Sequence, residues 1–236
     1  VLQKHPNGTY TLKVPASEAL ANRIVAEEYK IMKAVVPIHK QLAYSATKYT
    51  GQIELTTTPF YHPILPLVQD TNLMGQGQPF DPKPAQPFQF PADAGAQVGR
   101  AVAYFQQVFG DKPRGMWPGE GSVAEEVVQH FVAHGVQWIA TDEQVMKNSG
   151  KSAGGAPLQP LVVDSDTVGG DGGSTADSLA VYFRNTQMSN DIGFLYQGLT
   201  GNDAANQLIG NVAAQAPGFG SPDRVITLIL DGENAW

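Results

Sequence analysis

The stretch RGMWPGEGSVAEEVVQHFVAHGVQWIATDE, residues 114–143, predicts a strand, a helix and a second strand in succession. Residues 114–118 are a short strand candidate, and residues 136–141 have the apolar character of a longer strand. Ser122, with Glu125 three residues later, matches a capping box that would open the helix between them. The helix carries a single apolar face, formed by Val123, Val127 and Phe131.

The same alternation extends in both directions along the chain. Further strands are predicted at 52–58, 161–163, 178–184 and 225–230, and further helices at 93–109 and 204–214. The run 225–230 is apolar throughout, as expected of a strand buried on both faces. Alternating strands and helices predict a mainly parallel sheet, and the lack of a Gly-x-Gly-x-x-Gly turn favours a barrel over a dinucleotide-binding sheet.

An amino-terminal helix is predicted from apolar residues at roughly helical spacing, at Leu20, Ile24, Ile31 and Val35. Pro37 has no backbone donor, so we expect it to interrupt this helix, with a second helical piece running to about Thr47.

No shift in composition divides the chain, so we predict one domain over residues 1–236. A Pro- and Gln-rich surface excursion is expected at about 75–91, and Gly-rich loops at about 148–177. The chain starts at Val1 and stops just after a strand, which predicts a fragment truncated at both ends. A barrel that lacks a strand has an unpaired edge, and poor solubility is expected of it. Neither compartment nor oligomeric state is predicted.

The charge balance excludes several classes of partner. Lys and Arg number 15 against 22 Asp and Glu, which gives a net charge of -7. Such a chain repels a phosphate backbone, so no nucleic acid partner is expected. No basic run suggests a membrane surface, and the apolar stretches are too short to span a bilayer. The absence of cysteine excludes disulfides, thiolate nucleophiles and cysteine-ligated zinc.

Polar residues recur within or just beyond the carboxyl ends of the predicted strands. They are Glu54 with His62, Glu120, Asp142 with Glu143, Arg184, and Asp231 with Glu233. In a barrel of parallel strands these ends share one face, where the active site is built. The alternative for each residue taken singly is a helix cap or a partner for loop backbone.

Glu120 lies between Gly119 and Gly121, which let a sugar approach the backbone closely. It precedes a predicted helix start, where the dipole favours an ionised carboxylate, the form that a glycosidic nucleophile requires. Trp117 offers a flat apolar face for a sugar ring. The alternative is an acidic residue that only stabilises the start of the helix.

Asp231 closes the apolar run 225–230 and lies near Glu233. Both surroundings favour its protonated form, which suits a general acid. One ionised and one protonated carboxyl group are the recurring device of glycoside hydrolysis. The alternative is a turn that ends a strand, for which Asp-Gly is common.

Four segments resemble glycoside hydrolase family 57, whose members act on α-glucans. They are GQIELTTTPFYHPILP at 51–66, GMWPGEGS at 115–122, TDE at 141–143 and LDGENAW at 230–236. The style of these motifs is nearest to amylopullulanase-like members. The resemblance covers the chain from about Val36 onward.

The resemblance implies an α/β fold, an incomplete TIM-like barrel of seven strands, and a retaining mechanism without metal or organic cofactor. It assigns the nucleophile to Glu120 and the acid/base to Asp231. Contacts with an α-glucan are expected from His62, Trp117, Asp142, Glu54, Arg184, Glu233 and Trp236.

The chain departs from the family pattern at several points. The His-Gln-Pro motif of the opening strand and the fifth conserved region are absent. Asn185 stands where Asp is expected after Arg184, and Asn190 likewise follows Ser189, so the charge balance near Arg184 differs from the pattern.

Three alternatives to a hydrolase of amylase or pullulanase type stay open. A 4-α-glucanotransferase or branching enzyme would use the same two carboxyl groups with a sugar as the acceptor. A polysaccharide deacetylase would need a metal, for which His130 and His134 are the only spaced pair, and a solvated helix face is the alternative for them. A carbohydrate-binding protein without catalysis would have no need of both carboxyl groups.

Overall fold

The computed structural model describes residues 2–45, 49–150, 159–165, 178–216 and 224–232. The chain separates into two compact units, residues 1–55 and 56–236. Each unit is considered by itself below.

The first unit contains a hairpin and one long helix. Strands β1 (Leu2–Lys4) and β2 (Tyr10–Leu12) pair antiparallel. Helix α1 spans Glu18–Leu42, and the Ser17 side chain caps it by accepting from the Leu20 N–H. The predicted interruption at Pro37 is wrong, because the helix continues through this residue. The helix is exposed there, so water can satisfy the carbonyl that Pro37 leaves without a donor.

The predicted strand at 52–58 is reduced to isolated bridges. Ile53 pairs with Ala43 within the first unit, and Thr57 pairs with Met116 within the second. The alternation of Thr and Ile residues suits a strand, but a continuous ladder also needs a partner of matching length.

The second unit is built on a four-stranded sheet in the order β3-β4-β6-β5. Its strands are β3 (Gly115–Met116), β4 (Trp138–Asp142), β5 (Leu161–Asp164) and β6 (Ser178–Arg184). Neighbours β3, β4 and β6 run parallel, whereas β5 runs antiparallel to β6. Single parallel bridges extend this order to Thr57 beside β3 and to Thr227 beside β6. The α/β prediction is confirmed. The described residues form a partial sheet, and the seven-stranded barrel stays a prediction.

The helices of the second unit lie between and after these strands. They are α2 (Leu65–Gln69), α3 (Met74–Gly77), α4 (Pro91–Phe109), α5 (Glu125–Ala133), α6 (Glu143–Asn148), α7 (Thr186–Asn190) and α8 (Gly201–Ala214). Single turns of other helix types occupy Thr71–Leu73, Gly119–Gly121, Asp191–Leu195 and Tyr196–Gly198. Residues 78–90 are exposed and have neither helix nor strand.

The core lies where α4 and α5 cover the sheet. The predicted apolar faces are buried there: Val98, Val102 and Phe105 from α4, and Val127 and Phe131 from α5. They pack with Met116, Ile139 and Leu179 of the strands. Burial of this apolar surface provides the main force that holds the carboxyl ends of the strands in place.

Two local predictions are wrong. Helix α5 begins at Glu125, with Ala124 as its N-cap and without a side-chain cap, and the Ser122 N–H donates to the Gly119 carbonyl in the turn that precedes the helix. The run 225–230 is not buried on both faces, since Val225, Leu228 and Leu230 are 43%, 39% and 37% exposed. In the part of the chain that the structure describes, no helix is both long and apolar enough to cross a membrane.

Candidate active site at the carboxyl edge of the sheet

The carboxyl ends of β3, β4 and β6 lie along one edge of the sheet, because these three strands run parallel. Glu120 follows the last residue of β3 by four positions, and Asp142 and Arg184 are the paired last residues of β4 and β6. Asp231 follows the bridged residue Thr227 by the same four positions. Four predicted site residues therefore belong to segments that leave this one edge.

Glu120 projects from a tight turn with an unusual backbone. Its φ of 56° and ψ of 21° lie in the left-handed region, which non-glycine residues seldom occupy. Gly119 makes room for this turn, since a Cβ there would lie 2.4 Å from the Pro63 carbonyl oxygen. Residues held in this way cluster at functional sites, where the surrounding structure compensates for the strain.

The partner of the Glu120 carboxylate is His62, not a helix terminus. The His62 Nε2 lies 3.0 Å from Glu120 Oε1. Glu120 precedes the first residue of α5 by five positions, beyond the first turn where a helix dipole acts, so the dipole proposed from the sequence does not reach it. His62 also has a positive φ, of 55°. Two strained residues from different loops thus meet at one hydrogen bond.

The Glu120 carboxylate determines which ring nitrogen of His62 carries the proton, and Thr58 binds the other nitrogen. The Thr58 Oγ1 lies 2.9 Å from His62 Nδ1. An ionised carboxylate can only accept, so the Nε2–H donates to Glu120. In the neutral ring Nδ1 then accepts from the Thr58 hydroxyl, and the series Thr58, His62, Glu120 orients the carboxylate.

Trp117 lies beside the same turn. The backbone N–H of Trp117 donates to the Thr57 carbonyl at 2.8 Å, and this bond connects the end of β3 to the segment that carries Thr58. Its partly exposed ring lies against Gly121, where a Cβ would come within 2.9 Å of the ring and where φ is +65°. The indole therefore flanks the turn of Glu120, as the stacking prediction requires.

Asp142 and Arg184 form an ion pair across the edge. The Arg184 Nη1 lies 3.2 Å from Asp142 Oδ2. Asp142 also accepts from the Gln144 N–H at the start of α6 and from the Thr186 hydroxyl, each at 2.9 Å. Both side chains are thus engaged by protein groups.

Asp231 is exposed, and the segment before it is hydrogen-bonded to the end of β6. The Asn185 N–H donates to the Thr227 carbonyl at 2.8 Å, and Arg184 Nε donates to the Ile229 carbonyl at 3.0 Å. These bonds direct the chain past Arg184 toward Asp231. The low-dielectric surroundings expected from the sequence are absent at the described residues of this run.

Three of the predicted contact residues lie outside the described part of the second unit. Glu54 is exposed and belongs to the first unit. Glu233 and Trp236 lie outside the described residues. Their roles stay predictions.

The two histidines considered for a metal are partly buried and pack against α4. His130 Nε2 lies 2.7 Å from Gln69 Oε1, and its ring lies over Gly95 of α4, while His134 lies over Gly99. Burial lowers the pKa of His130, and the neighbouring His134 lowers it further. Among the described residues, no group of three or more His, Cys, Asp or Glu could hold a metal ion.

Sequence reasoning missed Thr58 and Ser189. The Ser189 hydroxyl is buried and accepts from the Ile229 N–H at 3.2 Å. A hydroxyl residue carries no periodic signal. Only the place of Thr58 in the family-like motif at 51–66, and that of Ser189 close to Arg184, could have drawn attention to these two residues.

The family of the chain follows from a match over most of its length. The family model of glycosyl hydrolase family 57 matches residues 17–236. The chain belongs to glycosyl hydrolase family 57. The suggestion of an amylopullulanase-like member of family 57 stays a prediction.

Solved structures of other proteins are similar to this chain. A 4-alpha-glucanotransferase from Thermococcus litoralis is 16% identical with a TM-score of 0.56, over 87% of this chain and 25% of that chain. An alpha-amylase, AmyC, from Thermotoga maritima is 14% identical with a TM-score of 0.45, over 74% of this chain and 26% of that one. The chain thus spans about a quarter of the length of these two proteins. No curated protein sequence matches it significantly.

Proposed function

We propose that the protein cleaves α-glucans with retention of configuration at the anomeric carbon. Membership of glycosyl hydrolase family 57 supports the reaction class. The observation that carries the residue assignment is the hydrogen bond of 3.0 Å between His62 and Glu120, two residues with left-handed backbone at the carboxyl edge of a parallel sheet. A carboxylate held in this way is oriented for attack.

In the proposed first step, a Glu120 oxygen attacks the anomeric carbon while the glycosidic C–O bond breaks. Asp231 gives its proton to the leaving oxygen. In the second step, water attacks the same carbon, passes a proton to the Asp231 carboxylate and displaces Glu120. The two carboxyl groups must come within about 5–5.5 Å of each other for this sequence of events.

The substrate contacts proposed for the glucan are those predicted from the sequence. Trp117 is the best supported, since its partly exposed ring lies beside the turn of Glu120. Roles for Asp142 and Arg184 must be reconciled with their mutual ion pair of 3.2 Å, which leaves fewer of their polar atoms for a sugar. A seven-stranded TIM-like barrel around this edge is likewise a proposal.

The test is a pair of isosteric variants of the full-length protein. We expect Glu120→Gln to abolish turnover and Asp231→Asn to lower kcat on glucans by about 10²–10⁴-fold. The exposed Asp111 provides a matched control, and Asp111→Asn should keep full activity. Full activity of either Glu120→Gln or Asp231→Asn would end the assignment.

Hydrolysis and glucan transfer differ only in the acceptor, and we propose hydrolysis as the main reaction. Both activities are found among solved members of the family, an alpha-amylase and a 4-alpha-glucanotransferase. The anomeric form of the first product, observed by NMR, tests retention. Chain-length analysis of the products tests the acceptor, and longer or branched chains would favour the transferase or branching alternative.

A further inference from the structure

The segment that leads to Asp231 is not held by a continuous β-ladder. Within residues 224–232, all of them described, a single parallel bridge joins Thr227 to Arg184, and the Asn185 N–H donates to the Thr227 carbonyl at 2.8 Å. A strand paired at one point has little to define its direction beyond that point. Other contacts must therefore orient the four residues that follow Thr227, which end with Asp231.

Two side chains supply those contacts at Ile229. Arg184 Nε donates to the Ile229 carbonyl at 3.0 Å, and the Ile229 N–H donates to Ser189 Oγ at 3.2 Å. Both polar groups of this residue's backbone are thus bound by side chains, two positions before Asp231. The Ser189 residue is fully buried and the Arg184 side chain is 19% exposed, so water competes weakly for these bonds.

Arg184 is itself held in a fixed orientation. Its Nη1 lies 3.2 Å from Asp142 Oδ2 and its Nη2 donates to Asn190 Oδ1 at 2.8 Å. A guanidinium carries its N–H donors on three nitrogen atoms in one plane, so it can donate to three partners in fixed directions. An ammonium group has all its donors on a single nitrogen atom. The end of β4 is thereby linked through Arg184 to the backbone before Asp231.

We propose that Arg184 and Ser189 are positioning residues for Asp231, and that they act by clamping the Ile229 backbone between them. This inference rests on the proposed function, since it takes Asp231 as the acid/base. It gives Arg184 a role other than the substrate contact predicted from the sequence, and it assigns a role to Ser189, which the sequence did not single out.

A misplaced acid/base has a signature that depends on the leaving group. Glucans have a poor leaving group that needs the proton of Asp231, whereas an activated aryl α-glucoside or α-glucosyl fluoride leaves without one. We expect Ser189→Ala to lower kcat/KM on a glucan about tenfold, corresponding to about 1.4 kcal/mol, and to leave kcat/KM on the activated substrate unchanged. Arg184→Lys should show the same pattern with a larger loss.

Added azide gives a second readout in the same variants. It attacks the glycosyl-enzyme without general base assistance, so it should restore kcat on the activated substrate. If a residue has only a structural role, its variant should lose kcat/KM equally on both substrates, and azide should not restore kcat. Ser149 is an exposed control residue whose hydroxyl donates to the Met146 carbonyl at 2.7 Å, and Ser149→Ala should leave kcat/KM on both substrates unchanged.

Equal losses of kcat/KM on both substrates in Ser189→Ala, or no loss on either, would overturn the inference. If Arg184→Lys unfolds, Ser189→Ala, which removes only an oxygen atom, still decides. A rise in KM alone for both substrates in Arg184→Lys would identify Arg184 as a substrate contact instead. The proposed function fails separately, when Asp231→Asn itself keeps full kcat on glucans.

Discussion

At the residue scale, the candidate site depends on two residues whose left-handed backbone conformation is unfavourable for any residue other than glycine. Glu120 and His62 have φ values of 56° and 55°, and each such conformation costs of the order of 1–3 kcal/mol. Their side chains are 71% and 45% exposed, so the hydrogen bond between them contributes at most about 1 kcal/mol to folding. Because the contact does not offset its own strain, we attribute it to the orientation of the carboxylate and not to stability.

Removal of the Thr58 hydroxyl tests this interpretation. We expect Thr58→Val to lower kcat/KM about three- to tenfold, because the His62 ring loses the hydrogen bond at Nδ1 that helps to orient it toward Glu120. The loss should be equal for glucans and for activated glucosides, since attack by Glu120 is needed for both.

The controls for Thr58 are a conservative variant and a stability measurement. Thr58→Ser keeps the hydroxyl and should restore the activity. The free energy of unfolding in urea should change by less than about 1 kcal/mol in Thr58→Val, because the bond that is lost is solvent-exposed. Unchanged kcat/KM in Thr58→Val would show that Thr58 has no part in orienting Glu120.

At the scale of elements, the packing of α4 on α5 includes the ring of His130, and it is favoured when this ring is uncharged. The ring of His130 lies against Gly95, where a Cβ would come within 3.1 Å of Nδ1, and its Nε2 is bonded to Gln69. The pKa of His130 is lowered by burial first and by the nearby His134 second. The helix pair is therefore at its most stable when this ring is uncharged.

The sign of the resulting pH dependence can be tested. A histidine with a lowered pKa binds fewer protons in the folded state than in the unfolded state, where its pKa is about 6.5. Its contribution to the free energy of unfolding is complete above that value and is lost as pH falls through the lower folded pKa. We expect thermal unfolding to show a fall in Tm on acidification below about pH 6.5, and a smaller fall in His130→Gln.

The control for this pH effect is the exposed His39 of α1. His39→Gln should leave the difference in Tm between pH 8 and pH 5 as it is in the parent protein. An identical pH dependence of Tm in the parent and in His130→Gln would contradict the prediction.

At the scale of the whole molecule, apolar surface on α1 stands out. No residue of this helix of 25 residues is buried, and Ile31 and Met32 are 67% and 66% exposed. Contiguous exposed apolar surface promotes association between copies or with other proteins. We expect the chain of 236 residues, expressed by itself, to be poorly soluble, as was also predicted from the sequence.

A double substitution on α1 tests the source of the association. Ile31→Gln with Met32→Gln keeps strong helix formers and should raise the soluble fraction and lower the light scattering of the isolated chain. The comparison is Ile209→Gln on α8, where one apolar residue of similar exposure, 65%, is replaced. A monodisperse parent chain that scatters no more light than the double variant would refute this account.

The sequence alone was sufficient for the elements that carry a strong local pattern. Helix α4 and strand β6 lie where periodicity and β-branched residues predicted them, since their apolar faces are buried against one core. The motifs around Glu120 and Asp231 pointed to family 57, to which the chain belongs. Local patterns sufficed in these cases because each is a property of neighbours along the chain.

Only the tertiary structure decided which side chains meet at the edge of the sheet. The partners His62 and Glu120 are 58 positions apart, and Arg184 and Ile229 are 45 positions apart. The start of α5 at Glu125 and the partly exposed run 225–230 also departed from expectation, because Ser122 belongs to the turn before the helix and because a strand needs a partner to be buried. Hydrogen bonds between distant segments depend on how strands are brought together, and no local pattern along the chain records that arrangement.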